Sequence, residues 1–78
     1  MAKAGERAMA GQRIALLSAR ERQVLDGIVG GMANKVIARE LGISPRTVEV
    51  YRANLMTKLN AASLSEVVRM AVRAGEFE

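Results

Sequence analysis

Arg46, Glu49, Val50, Ala53, Asn54 and Thr57 recur every three or four residues. In a helix, at roughly 100° per residue, that spacing gathers them on one side. Their chemistry suits the edges of base pairs. Arginine pairs with guanine, asparagine with adenine, and glutamate accepts from the cytosine amino group, while valine and alanine touch a thymine methyl. The plainer reading is a solvated helix face with one stray valine, because outward polar residues are the norm. Val48, Tyr51, Leu55 and Leu59 fall on the opposite side and form the stripe that such a helix would bury.

The elements that must position this face lie in one stretch, NKVIARELGISPRTVEVYRANLMTKL, from Asn34 to Leu59. Asn34 is a helix-starting residue, and Ile37, Ala38 and Leu41 follow at helical spacing. Gly42 stands where a left-handed C-terminal residue is wanted, since it has no Cβ to clash. Ile43 is an apolar plug. Ser44 can accept from the free N–H groups of the next helix, and Pro45 fits its first turn. The spacing predicts that second helix over about 45–59. Helix, short glycine-containing turn and helix make a helix-turn-helix.

Composition narrows the function. At 78 residues the chain is one domain at most. It has no cysteine, hence no disulfide or thiolate site and nothing that argues for secretion. It has no histidine, which removes the commonest metal ligand and general base. No apolar run approaches the roughly 18 residues that span a bilayer, and no signal-peptide region opens the chain, so a cytoplasmic protein without a membrane partner is expected. A net charge of +4 favours polyanions. One Phe, one Tyr and no Trp leave little for stacking on single-stranded bases. Glu21, Asp26, Glu40, Glu49 and Glu66 are scattered over different helices, outside any nucleophile motif or phosphate loop. No catalysis, metal or cofactor is expected.

The remaining elements follow in order. Residues 1–14 (MAKAGERAMAGQRI) lack a sustained apolar stripe and read as a linker or loosely helical arm, with one helical turn conceivable over Glu6 to Met9. The domain proper is expected over 15–78. Ser18 and Glu21 fit a capping box, and helix one runs from there to about Val29, burying Val24, Leu25, Ile28 and Val29 with Leu17 as a staple. Gly30-Gly31 ends it. Asn60 is a left-handed terminator for the long helix. Ser63 and Glu66 make a second capping box before a last helix over about 64–74, which directs Leu64, Val67, Val68 and Ala71 to the core. Met70 and Ala74, beside Val67, form a second apolar flank: either a small exposed patch or a dimer seam. The expected fold is all-α, a compact four-helix domain around a central helix-turn-helix.

The motifs LSARERQVL (17–25), NKVIARELGIS (34–44), RTVEVYRANLMTKL (46–59) and SLSEVVRMA (63–71) together resemble the C-terminal DNA-binding domain of the LuxR/FixJ family of bacterial transcription regulators, also called GerE-like. They stand in the family order, and the segment they mark out, from Leu17 to about Gly75, covers some three quarters of the chain. The wording around Arg46 to Asn54 looks most like the FixJ branch of two-component response regulators. The resemblance implies a third helix that enters the major groove, a last helix that mediates dimerisation, and a phosphorylatable receiver domain upstream in the full-length protein; a stand-alone regulator is the other possibility. Residue by residue it carries base reading to Glu49, Val50 and Ala53, with Arg46 and Asn54 nearby, and backbone contact to Lys35, Thr47 and Lys58. Tyr51 departs from the family's usual histidine: its ring is expected to pack, with its hydroxyl in reach of a phosphate.

Lys35 is either a solvated lysine or a phosphate anchor, and its place at the start of the first helix of the pair favours the anchor. Thr47 either helps hold a phosphate or bonds locally. Arg52, at the edge of the buried face, has three options: solvent, an acid, or phosphate. Glu49 reads a cytosine or orients Arg46. The dimer seam is assigned to Val67, Met70, Ala71 and Ala74. The leading expectation is a sequence-specific regulator of double-stranded DNA, bound as a homodimer, with RNA polymerase a candidate further partner. The alternatives are a sigma-factor region-four-like module, and a protein-interaction module that uses the helix over 64–74.

Overall fold

A computed structural model describes residues 9–75. Four helices follow a short helical segment over residues 9–14: α1 (Ala19–Val29), α2 (Asn34–Leu41), α3 (Pro45–Lys58) and α4 (Leu64–Arg73). Among the described residues there is no strand. The all-α expectation holds, with α2 and α3 forming the helix-turn-helix. No helix among these residues is long and apolar enough to cross a membrane.

Local chemistry sets most of the helix ends. Ser18 and Glu21 form a complete capping box. The serine hydroxyl accepts from the Glu21 N–H at 3.2 Å, and Glu21 Oε1 accepts from the Ser18 N–H at 2.8 Å. Gly42 is left-handed at φ 67° and closes α2 as expected. Ser44 caps α3 by accepting from the Thr47 N–H at 3.1 Å, with Pro45 in the first turn. Asn60 stands at φ 54° just beyond α3.

Two caps differ from the sequence reading. The N-cap of α2 is Ala33, which offers no side-chain bond; Asn34 lies inside the helix, and its side chain is turned to another purpose. At α4, Ser63 accepts from the Glu66 N–H, but the Glu66 carboxylate reaches past Ser63 to the Ala62 N–H at 2.6 Å. That box is therefore open by one residue.

The core is built from Val24 and Leu25 of α1, Ile37 and Ala38 of α2, Val48 and Leu55 of α3, Leu59, and Val67 and Ala71 of α4. Helix α3 packs against both α1 and α2, and α1 also meets α4. Gly27 lets α1 and α2 approach closely: a Cβ there would stand 2.7 Å from Ile37 Cγ1.

The arm belongs to this packing. Ala10 and Ile14 are buried, and Ile14 joins the core cluster. The two residues are four apart, one helical step, which is too short a stripe to stand out in an Ala- and Gly-rich segment. Of the turn expected over Glu6 to Met9, only Met9 lies among the described residues; it is helical and exposed.

The last helix corrects the expected seam. Val67 and Ala71 are fully buried within the domain and present nothing to a partner. Met70 and Ala74 are half-buried against the core. Met70 also borders a depression that Met9, Ala10, Arg13 and Arg73 line, so the arm lies beside this flank. Leu64, expected inside, is 38% exposed, and Val72 is 54% exposed. With Val68 they form the outward stripe of α4.

Candidate nucleic-acid interface

Helix α3 presents two chemically separate sides. Val48 and Leu55 are fully buried, and Tyr51 is half-buried against the core, as its ring was expected to be. Arg46, Glu49, Val50, Ala53, Asn54 and Thr57 are all exposed. Val50 is 53% exposed, a large apolar side chain held in water on the same face as arginine, glutamate and asparagine. The Thr57 hydroxyl is turned back onto the Ala53 carbonyl at 3.1 Å. Among the described residues no ion pair joins Arg46 to Glu49. The five expected base-reading residues, Arg46, Glu49, Val50, Ala53 and Asn54, thus stand together on one solvent-facing surface.

The five residues expected at the backbone divide differently. Lys35 is exposed in the first turn of α2 and borders an open depression of about 500 Å³ with Asn34, Arg52 and Met32. Thr47 is half-buried, its hydroxyl 2.9 Å from that of Ser44 and its N–H given to the same oxygen. Arg52 has a partner outside the three options: its Nη1 donates to Asn34 Oδ1 at 2.7 Å, which links α3 to the start of α2, while the residue stays half-buried. Lys58 is engaged as well. Its Nζ lies 2.7 Å from Glu21 Oε1 and 3.5 Å from the Leu16 carbonyl, and its side chain keeps 40% exposure. The Lys58 ammonium, together with the Ser18 N–H, holds the Glu21 carboxyl below the usual carboxylate range, although burial works the other way.

Sequence reasoning missed several residues that set this surface. Glu21 was read as a cap alone, yet its second partner is 37 positions away. Arg13 donates to the Leu59 carbonyl at 3.3 Å and so supports the C-terminal end of α3 from the arm. Arg20 donates to the Leu41 carbonyl at 3.3 Å, at the end of α2. Each contact joins a cation to a distant acceptor, and no local pattern announces such a contact.

Residues 15–71 match the family described as bacterial regulatory proteins, luxR family. The chain belongs to the luxR family. Its relatives include the transcriptional regulatory protein FixJ of Azorhizobium caulinodans, 70% identical over 69 residues, which covers 88% of this chain and 33% of that protein. FixJ of Bradyrhizobium diazoefficiens is 67% identical over 63 residues, covering 81% of this chain and 31% of that protein. The transcriptional regulatory protein UhpA of Escherichia coli is 55% identical over 53 residues, covering 68% and 27%. The crystal structure of full-length FixJ from B. japonicum superposes with a TM-score of 0.85 at 58% identity, covering 96% of this chain and 38% of that one. The chain thus spans about a third of the length of these luxR-family relatives. The match with FixJ bears out the expected branch, and the likeness to its structure bears out the fold.

Proposed function

We propose that this domain binds double-stranded DNA in a sequence-specific manner and regulates transcription, with α3 in the major groove. One observation carries the reading. An exposed face of Arg46, Glu49, Val50, Ala53 and Asn54 sits on a helix whose back is fixed in the core by Val48 and Leu55, in a chain of the luxR family. A rigid helix that offers donors, acceptors and small apolar groups outward meets the needs of base reading.

Lys35, Thr47 and Tyr51 flank that face and are assigned to phosphate. Residues 15–78 form the DNA-binding domain, and residues 1–14 the arm. The domain works as a homodimer on paired half-sites about one helical turn apart. The outward stripe of α4, exposed Leu64 and Val72 with half-buried Val68, replaces the buried Val67 and Ala71 as its seam. The similarity to FixJ supports a place downstream of a receiver domain in a cytoplasmic response regulator, with RNA polymerase a further partner.

Binding titrations on a preferred duplex and on random-sequence DNA test the assignment. Arg46→Ala and Asn54→Ala should each cost the preferred duplex roughly 1–3 kcal/mol and relax its sequence requirement at one position. Equal loss on both duplexes removes that residue from the reading set.

A further inference from the structure

Lys58 stands in the last turn of α3, and the resemblance to the family points it at a DNA phosphate. The geometry points elsewhere. Two of its contacts run into the protein, to Glu21 Oε1 at 2.7 Å and to the Leu16 carbonyl at 3.5 Å. The Glu21 side chain is only 5% exposed. A carboxylate so withdrawn from water needs a cation beside it, because breaking such a pair strands a buried charge. The same Oε1 also accepts the Ser18 N–H, so the pair is anchored in the capping box of α1. Next along the chain, Arg13 holds the Leu59 carbonyl. The C-terminal end of α3 is therefore tied to α1 on one side and to the arm on another.

We propose that Lys58 serves DNA recognition as a positioning residue, clasping the end of α3 to Glu21, and not as a phosphate contact. This rests on the reading of α3 as the base-reading helix. The turn at Gly42 to Pro45 holds the start of α3, and the clasp holds its end. With both ends fixed, the face from Arg46 to Asn54 keeps one tilt against the groove. With the clasp open, that tilt becomes variable and contacts that depend on alignment suffer most.

The test uses Lys58→Met, which keeps most of the stem without the charge, and Glu21→Gln, which keeps an acceptor for the Ser18 N–H. Both are studied below their unfolding temperatures, with Lys58→Arg as the conservative control. Affinities for preferred and random duplexes are measured across a salt series, and amide exchange is followed in the free protein. Glu21→Gln is decisive, because removing a negative charge ordinarily favours DNA. The clasp predicts the reverse on the preferred duplex: both variants lose affinity there several-fold, hold it on random DNA, and keep the salt slope. Amides in the last turn of α3 exchange faster in both, and Lys58→Arg restores binding. A phosphate contact predicts that Lys58→Met weakens both duplexes alike, with the salt slope reduced by about 0.9, while Glu21→Gln binds at least as well as the parent. That result, or unchanged amide exchange, overturns the clasp. If the parent protein makes no distinction between duplexes, the DNA-reading assignment fails instead, and amide exchange still decides whether the clasp exists.

Discussion

Arg52 Nη1 donates to Asn34 Oδ1 across 2.7 Å, and this contact joins α3 to the end of α2 that lies away from their connecting turn. The turn fixes one end of the helix pair, and the Arg52–Asn34 bond helps fix the other. Arg52→Ala and Asn34→Ala should each lower stability by about 1.5–3 kcal/mol, the scale of a hydrogen bond to a charged group. The double variant should lose clearly less than the sum, because either change removes the same bond. Urea unfolding of the four proteins measures this, and strict additivity would show that the two side chains act independently.

Gly27 offers a steric test of how closely α1 and α2 must approach. A Cβ there would meet Ile37 Cγ1 at 2.7 Å and Cδ1 at 2.9 Å, and Ile37 is only 2% exposed. Alanine gains up to about 1 kcal/mol of helix propensity over glycine. Overpacking of a filled core costs about 1–3 kcal/mol. Gly27→Ala should therefore be neutral to destabilising, in contrast to an exposed helical glycine, where the same change stabilises. Thermal unfolding reads the sign, and combination with Ile37→Val should recover part of the loss.

Glu21 makes stability depend on acid. Its carboxyl is held below the ordinary value of 4.5, first by the Lys58 hydrogen bond and then by the Ser18 N–H. A depressed carboxylate gives the unfolded chain the greater proton affinity, so its stabilising effect is complete above the unfolded value and fades as pH falls through the folded one. The gap in urea midpoint between the parent protein and Glu21→Gln should be constant near neutrality. It should shrink below about pH 4.5 as the carboxyl takes up its proton. A gap that stays constant into strong acid would mean that the Glu21 charge contributes nothing.

Lys35 separates phosphate attraction from base reading. It is exposed in the first turn of α2 and makes no hydrogen bond or ion pair among the described residues. Lys35→Ala should weaken preferred and random duplexes by one common factor and reduce the salt slope by about 0.9. A loss confined to one sequence, measured by the same salt series, would move Lys35 into the reading set.

Legibility in the sequence followed the range of the interactions. Ser18, Gly42, Ser44, Pro45 and Asn60 act within a few residues of themselves, and their roles could be read directly. The split faces of α3 were legible for the same reason, since periodicity alone separates Val48 and Leu55 from Arg46 and Asn54. The errors came from contacts between distant segments. Asn34 looked like a cap because asparagine often is one, but Arg52 competes for its oxygen. The contact of Lys58 with Glu21 was not legible, because the two are 37 positions apart in the chain. Val67 and Ala71 were placed on a seam with the apolar flank of Met70 and Ala74, but both are buried within the domain; Ala10 and Ile14, in an arm without an evident stripe, pack there too and help complete its interior.

The central claim is that the exposed face of α3 reads base sequence, and selection from a random duplex library tests it most directly. At moderate salt the selected pool should converge on a roughly two-fold-symmetric site with half-sites about one helical turn apart. Arg46→Ala and Asn54→Ala proteins should each select a pool degenerate at one position per half-site. Binding without enrichment, falling steeply with salt, would leave only attraction to phosphate and contradict the claim.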